Sequence, residues 1–284
     1  MLLSLCLQSI RPLLTGRSPK LKLPDVPAFT RDVLGLNGLT LSTDLLKGST
    51  RTDLELLRDR ADKAACSCLM LAEPDPLPFA TEDFDLGTAA VNRAHQVLRA
   101  AQVLGCNSAA IHVKANDTED NLERAIDRLR EAVEYAERLE VNLLIAPYKG
   151  LTQKADRVTD LIKRVGGFRV GTLPDFLSAV DSGDAVTYLR RLTPYAAVVI
   201  ASTSDFEEAI EGPDDQPMSI DDLLSESVPV HKAFDLNPLI GAVISVGFDI
   251  TLGLDYRGSG DPVEGLLSSR TAIEDAVERA LEKD

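Results

Sequence analysis

Eight short apolar runs alternate with longer amphipathic stretches along this 284-residue chain, and that rhythm restricts the fold more than any other feature. The runs are Leu2–Gln8, Gly38–Ser42, Ser67–Ala72, Ser108–Val113, Asn142–Ala146, Phe168–Leu173, Ala197–Ala201 and Asp249–Leu254. Their length suits strands covered by helices on both sides. Helical spacing fills the gaps near Asp25–Leu34, Thr52–Ala64, Asp85–Leu104, Thr118–Glu140, Thr152–Val165, Asp181–Leu192, Leu236–Val246 and Glu264–Lys283. Eight strand–helix units predict one α/β domain over residues 1–284, a single (β/α)8 barrel with a closed parallel sheet. The competitor is a doubly wound open sheet, but no glycine-rich phosphate fingerprint follows the first run.

Local signals agree with this rhythm. Gly35, Gly105, Gly166 and Gly247 stand where a helix gives way to a strand, the place for a C-cap glycine. The stretch Thr118–Glu140 is rich in i,i+4 opposite charges, such as Arg130–Glu134 and Glu134–Arg138, expected on a solvated outer face. One segment breaks the pattern, an acidic loop insertion at about 202–231. Ser202–Val230 holds nine acids (Asp205, Glu207, Glu208, Glu211, Asp214, Asp215, Asp221, Asp222, Glu226) and no Lys or Arg. So long a connection is either a lid over the site or a solvated loop.

Composition narrows the function classes. With no Trp and 5% aromatics, the core must come from Leu, Val, Ile and Ala. A net charge of −15 excludes nucleic acid as a partner, because such binding needs Lys and Arg to neutralise phosphates. No apolar run reaches the roughly 18 residues of a membrane span. Met1–Gln8 lacks a basic flank and an Ala-x-Ala exit, so it is expected as a first strand and not a leader. Cys6, Cys66, Cys68 and Cys106 have neither zinc nor CxxC spacing, which predicts buried, reduced thiols and a cytoplasmic location.

In a barrel of this kind the chemistry stands at the C-terminal ends of the strands. The residues there are Thr40, Ser42 and Asp44, then Glu73, His112 and Lys114, Tyr148 and Lys149, Asp175, Ser202 and Asp205, and finally Asp255 and Arg257. Strand alternation sends Ile250, Leu252 and Leu254 outward and Thr251, Gly253, Asp255 and Arg257 inward. It likewise turns Ile111 and Val113 out, and His112 and Lys114 toward the barrel mouth.

Several phrases carry a resemblance: Gly35-Leu36-Asn37-Gly38-Leu39-Thr40-Leu41-Ser42, Ala101-Gln102-Val103-Leu104-Gly105-Cys106 and Ala136-Glu137-Arg138-Leu139-Glu140-Val141-Asn142-Leu143-Leu144-Ile145. Val170-Gly171-Thr172-Leu173-Pro174-Asp175, and the stretch from Leu239 to Phe248 leading into Leu252-Gly253-Leu254-Asp255-Tyr256, continue it. On these the chain resembles the xylose isomerase-like TIM-barrel superfamily, which holds sugar-phosphate isomerases and epimerases, ketose 3-epimerases and DNA-repair enzymes of the endonuclease IV type. The resemblance implies a divalent metal held by Glu, Asp, His and Glu on strands five to eight. Position by position these become Ala146 in place of the family Glu, Asp175, a histidine-free segment near Ala201, and Asp255, one methylene shorter. The glutamate often carried after strand two is Thr40. The DNA-repair branch needs a rich His cluster that three histidines cannot supply.

The expected function is that of a sugar (phosphate) isomerase or epimerase, moving a proton next to a carbonyl on a small, anionic, carbohydrate-type substrate. The alternative is a non-catalytic barrel that binds a ligand or partner and has lost the metal site. Asp175, Asp255, His112 and Lys149 are the candidates for proton transfer. Lys114, Tyr148, Arg257 and Arg11 are the candidates for substrate binding. The expected cofactor is none, or an Mn or Mg ion weakly held by Asp175 and Asp255. Asp175 and Asp255 could equally pair with Lys149 or Arg257 and keep the mouth neutral. The basic loop Arg11–Lys22 (Arg11, Arg17, Lys20, Lys22) favours an anionic ligand; its +4 taken from −15 leaves −19 for the remainder. It could instead neutralise the acidic insertion. A homo-oligomer stays open.

Overall fold

The computed structural model describes residues 1–16, 18–207 and 228–282. Eight strands are present: β1 Leu2–Cys6, β2 Gly38–Ser42, β3 Ser67–Ala72, β4 Ser108–His112, β5 Asn142–Ala146, β6 Val170–Thr172, β7 Val199–Thr203 and β8 Thr251–Tyr256. They pair in parallel in the order β6-β5-β4-β3-β2-β1-β8-β7. The ends of that row meet through the parallel bridges Thr172–Ala196 and Asp175–Ile200, with the Ile200 amide donating to the Pro174 carbonyl at 2.8 Å. The expected (β/α)8 barrel is therefore present, with its lightest seam between β6 and β7.

Alternation along the strands separates two apolar cores. Leu5, Leu39, Leu41, Ile111, Leu143, Leu252 and Leu254 pack outward beneath the helices. Cys6, Met70, Ala110, Leu144, Ala146, Leu173, Val198 and Ile200 fill the lumen. At the lumen Ala110 and Ala146 are small, and Gly253 admits the Cys6 sulfur and Ile200 at close range. This leaves room at the mouth.

Helix ends follow the capping rules. Thr50 and Asp53 form a reciprocal capping box at the start of Arg51–Lys63. Gly105 ends Phe84–Leu104 in the left-handed region at φ 78°, where a side chain would cost about 1 kcal/mol or more.

Two local expectations need correction. The helix expected over Asp181–Leu192 starts only at Ala185, and a separate helix, Phe176–Asp181, precedes it. Gly183, at φ +85°, breaks the chain, and Asp184 caps the second helix through the Thr187 amide. The Arg130–Glu134 and Glu134–Arg138 pairs do not form among the described residues. Arg130 reaches instead across to the Arg164 and Val165 carbonyls, at 2.8 and 3.4 Å. The open carbonyls of that helix C-terminus attract the guanidinium, which also pairs with Asp127 at 3.4 Å.

Of the acidic insertion, residues 208–227 lie outside the described residues, so its expected lid or loop role is not placed. Its base is described. Phe206 and His231 form an antiparallel bridge, and His231 Nε2 accepts from the Ser204 amide at 2.7 Å. His231 Nδ1 meets the Phe234 carbonyl at 2.9 Å, which fixes the proton on that nitrogen.

Candidate functional site

The C-terminal ends of the strands surround a cavity of about 280 Å³ lined in part by Cys6, Gln8, Thr40, Ser42, His112, Ala146, Asp175, Asp255 and Arg257. Asp255 and Arg257 enter from the end of β8, two residues apart and so on one face. Asp175 enters just beyond β6, where its carboxylate also accepts from the Ser178 amide at 2.9 Å and caps helix Phe176–Asp181.

Arg257 ties the two carboxylates together. Its Nε donates to Asp255 Oδ2 at 2.8 Å and its Nη2 lies 2.7 Å from the same oxygen. The Nη2 also pairs with Asp175 Oδ2, and Nη1 is 3.5 Å from Asp175 Oδ1. Both aspartates are buried, whereas the Arg257 side chain is 40% exposed. Ser9 completes the set by donating to Asp255 Oδ1 at 3.1 Å while accepting from the Tyr256 amide at 2.9 Å. Burial pushes the Asp255 carboxyl above its ordinary value, with the guanidinium pulling it back down. The guanidinium itself is held firmly protonated by the two aspartates despite its own burial.

His112 closes β4 and is half-buried. Its Nδ1 sits 3.0 Å from the Pro147 carbonyl. A carbonyl can only accept, so the proton is on Nδ1 and Nε2 carries the lone pair. Burial lowers its pKa, which keeps the ring neutral near pH 7. The Thr40 hydroxyl, buried in the same cavity, has no hydrogen-bond partner among the described residues beyond the adjacent Cys6 thiol. Burial also raises the Cys6 thiol, with Asp255 adding to the effect, so this sulfur stays protonated.

The remaining candidates divide by position. Arg11 lies on the rim, where it pairs with Asp44 and donates to Gln8 Oε1 at 2.9 Å. Lys114, Tyr148 and Lys149 do not join Asp175 and Asp255. They line a neighbouring cavity of about 500 Å³, beyond the last ladder residues of β4 and β5, His112 and Ala146. Pairing of the aspartates with Lys149 is thus replaced by pairing with Arg257. Arg17 lies outside the described residues.

Sequence reasoning missed Ser9, Gln8 and the full engagement of Glu73. Glu73 is buried and held by Arg93 Nε at 2.7 Å, Thr43 Oγ1 at 3.1 Å and the Asp75 amide at 3.2 Å. A lone buried acid at a strand end was the available signal. Its partner Arg93 sits within a helix twenty residues on, and only folding brings the two together.

Residues 33–282 match the model of the xylose isomerase-like TIM barrel. The chain belongs to this family. A comparison with curated protein sequences finds no match. Among solved structures, an L-ribulose 3-epimerase is similar with a TM-score of 0.79 at 15% identity, over 100% of this chain and 97% of that one. The IOLI protein, described with a binding zinc atom, is similar with a TM-score of 0.72 at 15% identity, over 98% of this chain and 99% of that one. A D-psicose 3-epimerase from Clostridium cellulolyticum H10, in a structure with D-tagatose, is similar with a TM-score of 0.71 at 12% identity, over 100% and 98%. Identities this low establish the shared barrel and no more.

In this member of the xylose isomerase-like family, the described residues do not bring together the donors for a metal of that kind. No group of three His, Cys, Asp or Glu side chains converges among the described residues. Ala146 and Ala201 present only methyl groups, and Asp175 and Asp255 already carry a guanidinium between them. A cation placed on both carboxylates would have to displace Arg257. Among the described residues no helix is long and apolar enough to cross a membrane.

Proposed function

We propose that the cavity binds a small carbohydrate-type hydroxy-carbonyl compound and moves a proton next to its carbonyl, as sugar isomerases do. The observation that carries this reading is the meeting of neutral His112 and cationic Arg257 on one cavity of about 280 Å³. Arg257 supplies N–H donors and positive charge where a carbonyl oxygen gains negative charge. His112 Nε2 takes the proton from the carbon beside the carbonyl, which leaves an enediolate. The resulting imidazolium returns that proton to the neighbouring carbon, while the hydroxyl proton passes from one enediolate oxygen to the other and the second carbonyl forms.

One base on one face suits transfer between adjacent carbons. Inversion at a single carbon needs a second base opposite the first, and both aspartates are already engaged by Arg257. The reading is therefore isomerisation ahead of epimerisation. The similarity to sugar epimerases supports the substrate class only at the level of the fold.

The engagement of both aspartates also favours a second reading, a ligand-binding barrel with no turnover. One experiment separates the two. A panel of aldoses, ketoses and their phosphates is tested for binding and for solvent deuterium uptake at the carbon beside the carbonyl, in a chelator. Uptake that disappears in His112→Gln supports the isomerase reading. Binding without uptake supports the second reading, and absence of both overturns the carbohydrate assignment.

A further inference from the structure

We propose that the cavity beside His112 is an anion subsite, in which Lys114 and Lys149 grip a terminal phosphate or carboxylate on the ligand. This deepens the carbohydrate reading, on which it rests, by fixing the charge of the end remote from the reacting carbon.

Beyond their last ladder residues, the β4 and β5 segments pair once more through a parallel bridge between Ala115 and Gly150, with the Leu151 amide donating to the Ala115 carbonyl at 2.9 Å. Lys114 and Lys149 each precede a bridged residue, so the pairing sets them side by side. Gly150 makes this possible. Its φ is +94°, and a Cβ there would collide with the Ala115 carbonyl oxygen.

Like charges on adjacent positions of paired strands repel, and neither of the two loops holds a free acid to offset them. Residues 114–118 contain one acid, Asp117. It is already engaged by Arg157 at 2.7 Å and by Lys154 at 3.9 Å. Residues 147–154 contain no acid at all. In a chain with 45 acidic residues, neither loop offers this lysine pair a free carboxylate. A bound anion resolves the repulsion.

The surroundings suit that anion. The cavity of about 500 Å³ also presents Thr81, Asn116, Asn121 and Tyr148, all capable of donating to phosphate or carboxylate oxygens. Tyr148 links it to the first cavity, since its ring centroid lies 6.0 Å from that of His112. A ligand with its carbonyl end at His112 and Arg257 can place its far end between the lysines.

The test uses the full chain and three probes: inorganic phosphate, a pentulose with and without a 5-phosphate, and a hexose with and without a terminal carboxylate. Amide signals of Ala115 and Gly150 are followed by heteronuclear NMR, and affinities by calorimetry. Phosphate is expected to shift both signals in the native chain and neither in the Lys114→Gln/Lys149→Gln variant. At least one charged sugar is expected to bind tenfold or more tighter than its neutral counterpart, with that advantage lost in the variant; whether it is the phosphate or the carboxylate identifies the anion. The single variants K114Q and K149Q serve if the double one is unstable. Unmoved signals, or a charged-to-neutral ratio unchanged by the substitutions, would overturn the subsite. Equal binding of neutral and charged sugars removes the subsite and leaves the carbohydrate reading. Phosphate binding at the lysines without any sugar binding removes the carbohydrate reading and leaves the subsite.

Discussion

Arg257 and Asp255, two residues apart at the end of β8, are joined twice, Nε to Oδ2 at 2.8 Å and Nη2 to Oδ2 at 2.7 Å. That short-range pair then reaches across the mouth to Asp175. The guanidinium thereby supplies positive charge between two carboxylates, where a divalent cation could also have bound. It also uses up the oxygens such a cation would need.

Removing the guanidinium should expose this substitution. Arg257→Ala leaves two buried carboxylates facing each other, and breaking a buried ion pair costs about 3–5 kcal/mol. Exposure of 40% at Arg257 lets water screen the loss, so about 2 kcal/mol is expected. Denaturant unfolding measures it. Mn²⁺ should raise the melting temperature of the variant and leave the native chain unmoved. A native chain stabilised as much as the variant would contradict the assignment.

His112→Gln should lower turnover by about 10²–10⁴-fold, the usual contribution of a positioned base. Ligand affinity should change far less. A variant that loses binding and rate together would assign His112 to ligand contact alone.

Two histidines should shape the pH dependence of stability. Burial lowers the pKa of both His112 and His231 from the ordinary 6.5. The folded chain therefore binds fewer protons than the unfolded chain below that pH, and stability falls as pH drops through and below 6.5. Above it these two rings contribute no slope. Protonation of His231 would also end its acceptance from the Ser204 amide at 2.7 Å. Denaturant midpoints between pH 8 and pH 5 should decline less in His231→Gln than in the native chain. Identical slopes would refute the role given to the ring.

All four cysteines are buried and free. Burial pushes Cys66 and Cys68 up to about 12 and raises Cys6 and Cys106 as well. Thiols that stay protonated and covered react poorly. A thiol reagent at pH 8 should titrate none of the four in the native chain and all of them in denaturant. Rapid labelling of Cys6 would mean that the cavity floor opens to solvent.

Gly150→Ala should cost on the order of 2 kcal/mol, combining a left-handed backbone with the clash at the Ala115 carbonyl. The same substitution at Gly183, where φ is +85° and a Cβ meets open space, retains only the backbone part. Comparing the two midpoints isolates the clash.

The barrel was readable from the chain because strand alternation and helix periodicity are local. Runs of five or six apolar residues, C-cap glycines and the inward set Gly253, Asp255 and Arg257 need only neighbours along the sequence. The sequence marks Asp175 as a site residue but not as the cap that starts helix Phe176–Asp181, so it does not announce that helix. Which cation would reach the aspartates was not local. Lys149 and Arg257 are equal candidates in the sequence, and the structure places the lysine in the next cavity, beyond the end of β5. Sequence fixes what each strand end can offer, because side-chain direction follows from a repeat of two. Only the closed sheet decides which offers meet, because residues 82 positions apart, Asp175 and Arg257, become neighbours through the barrel's curvature.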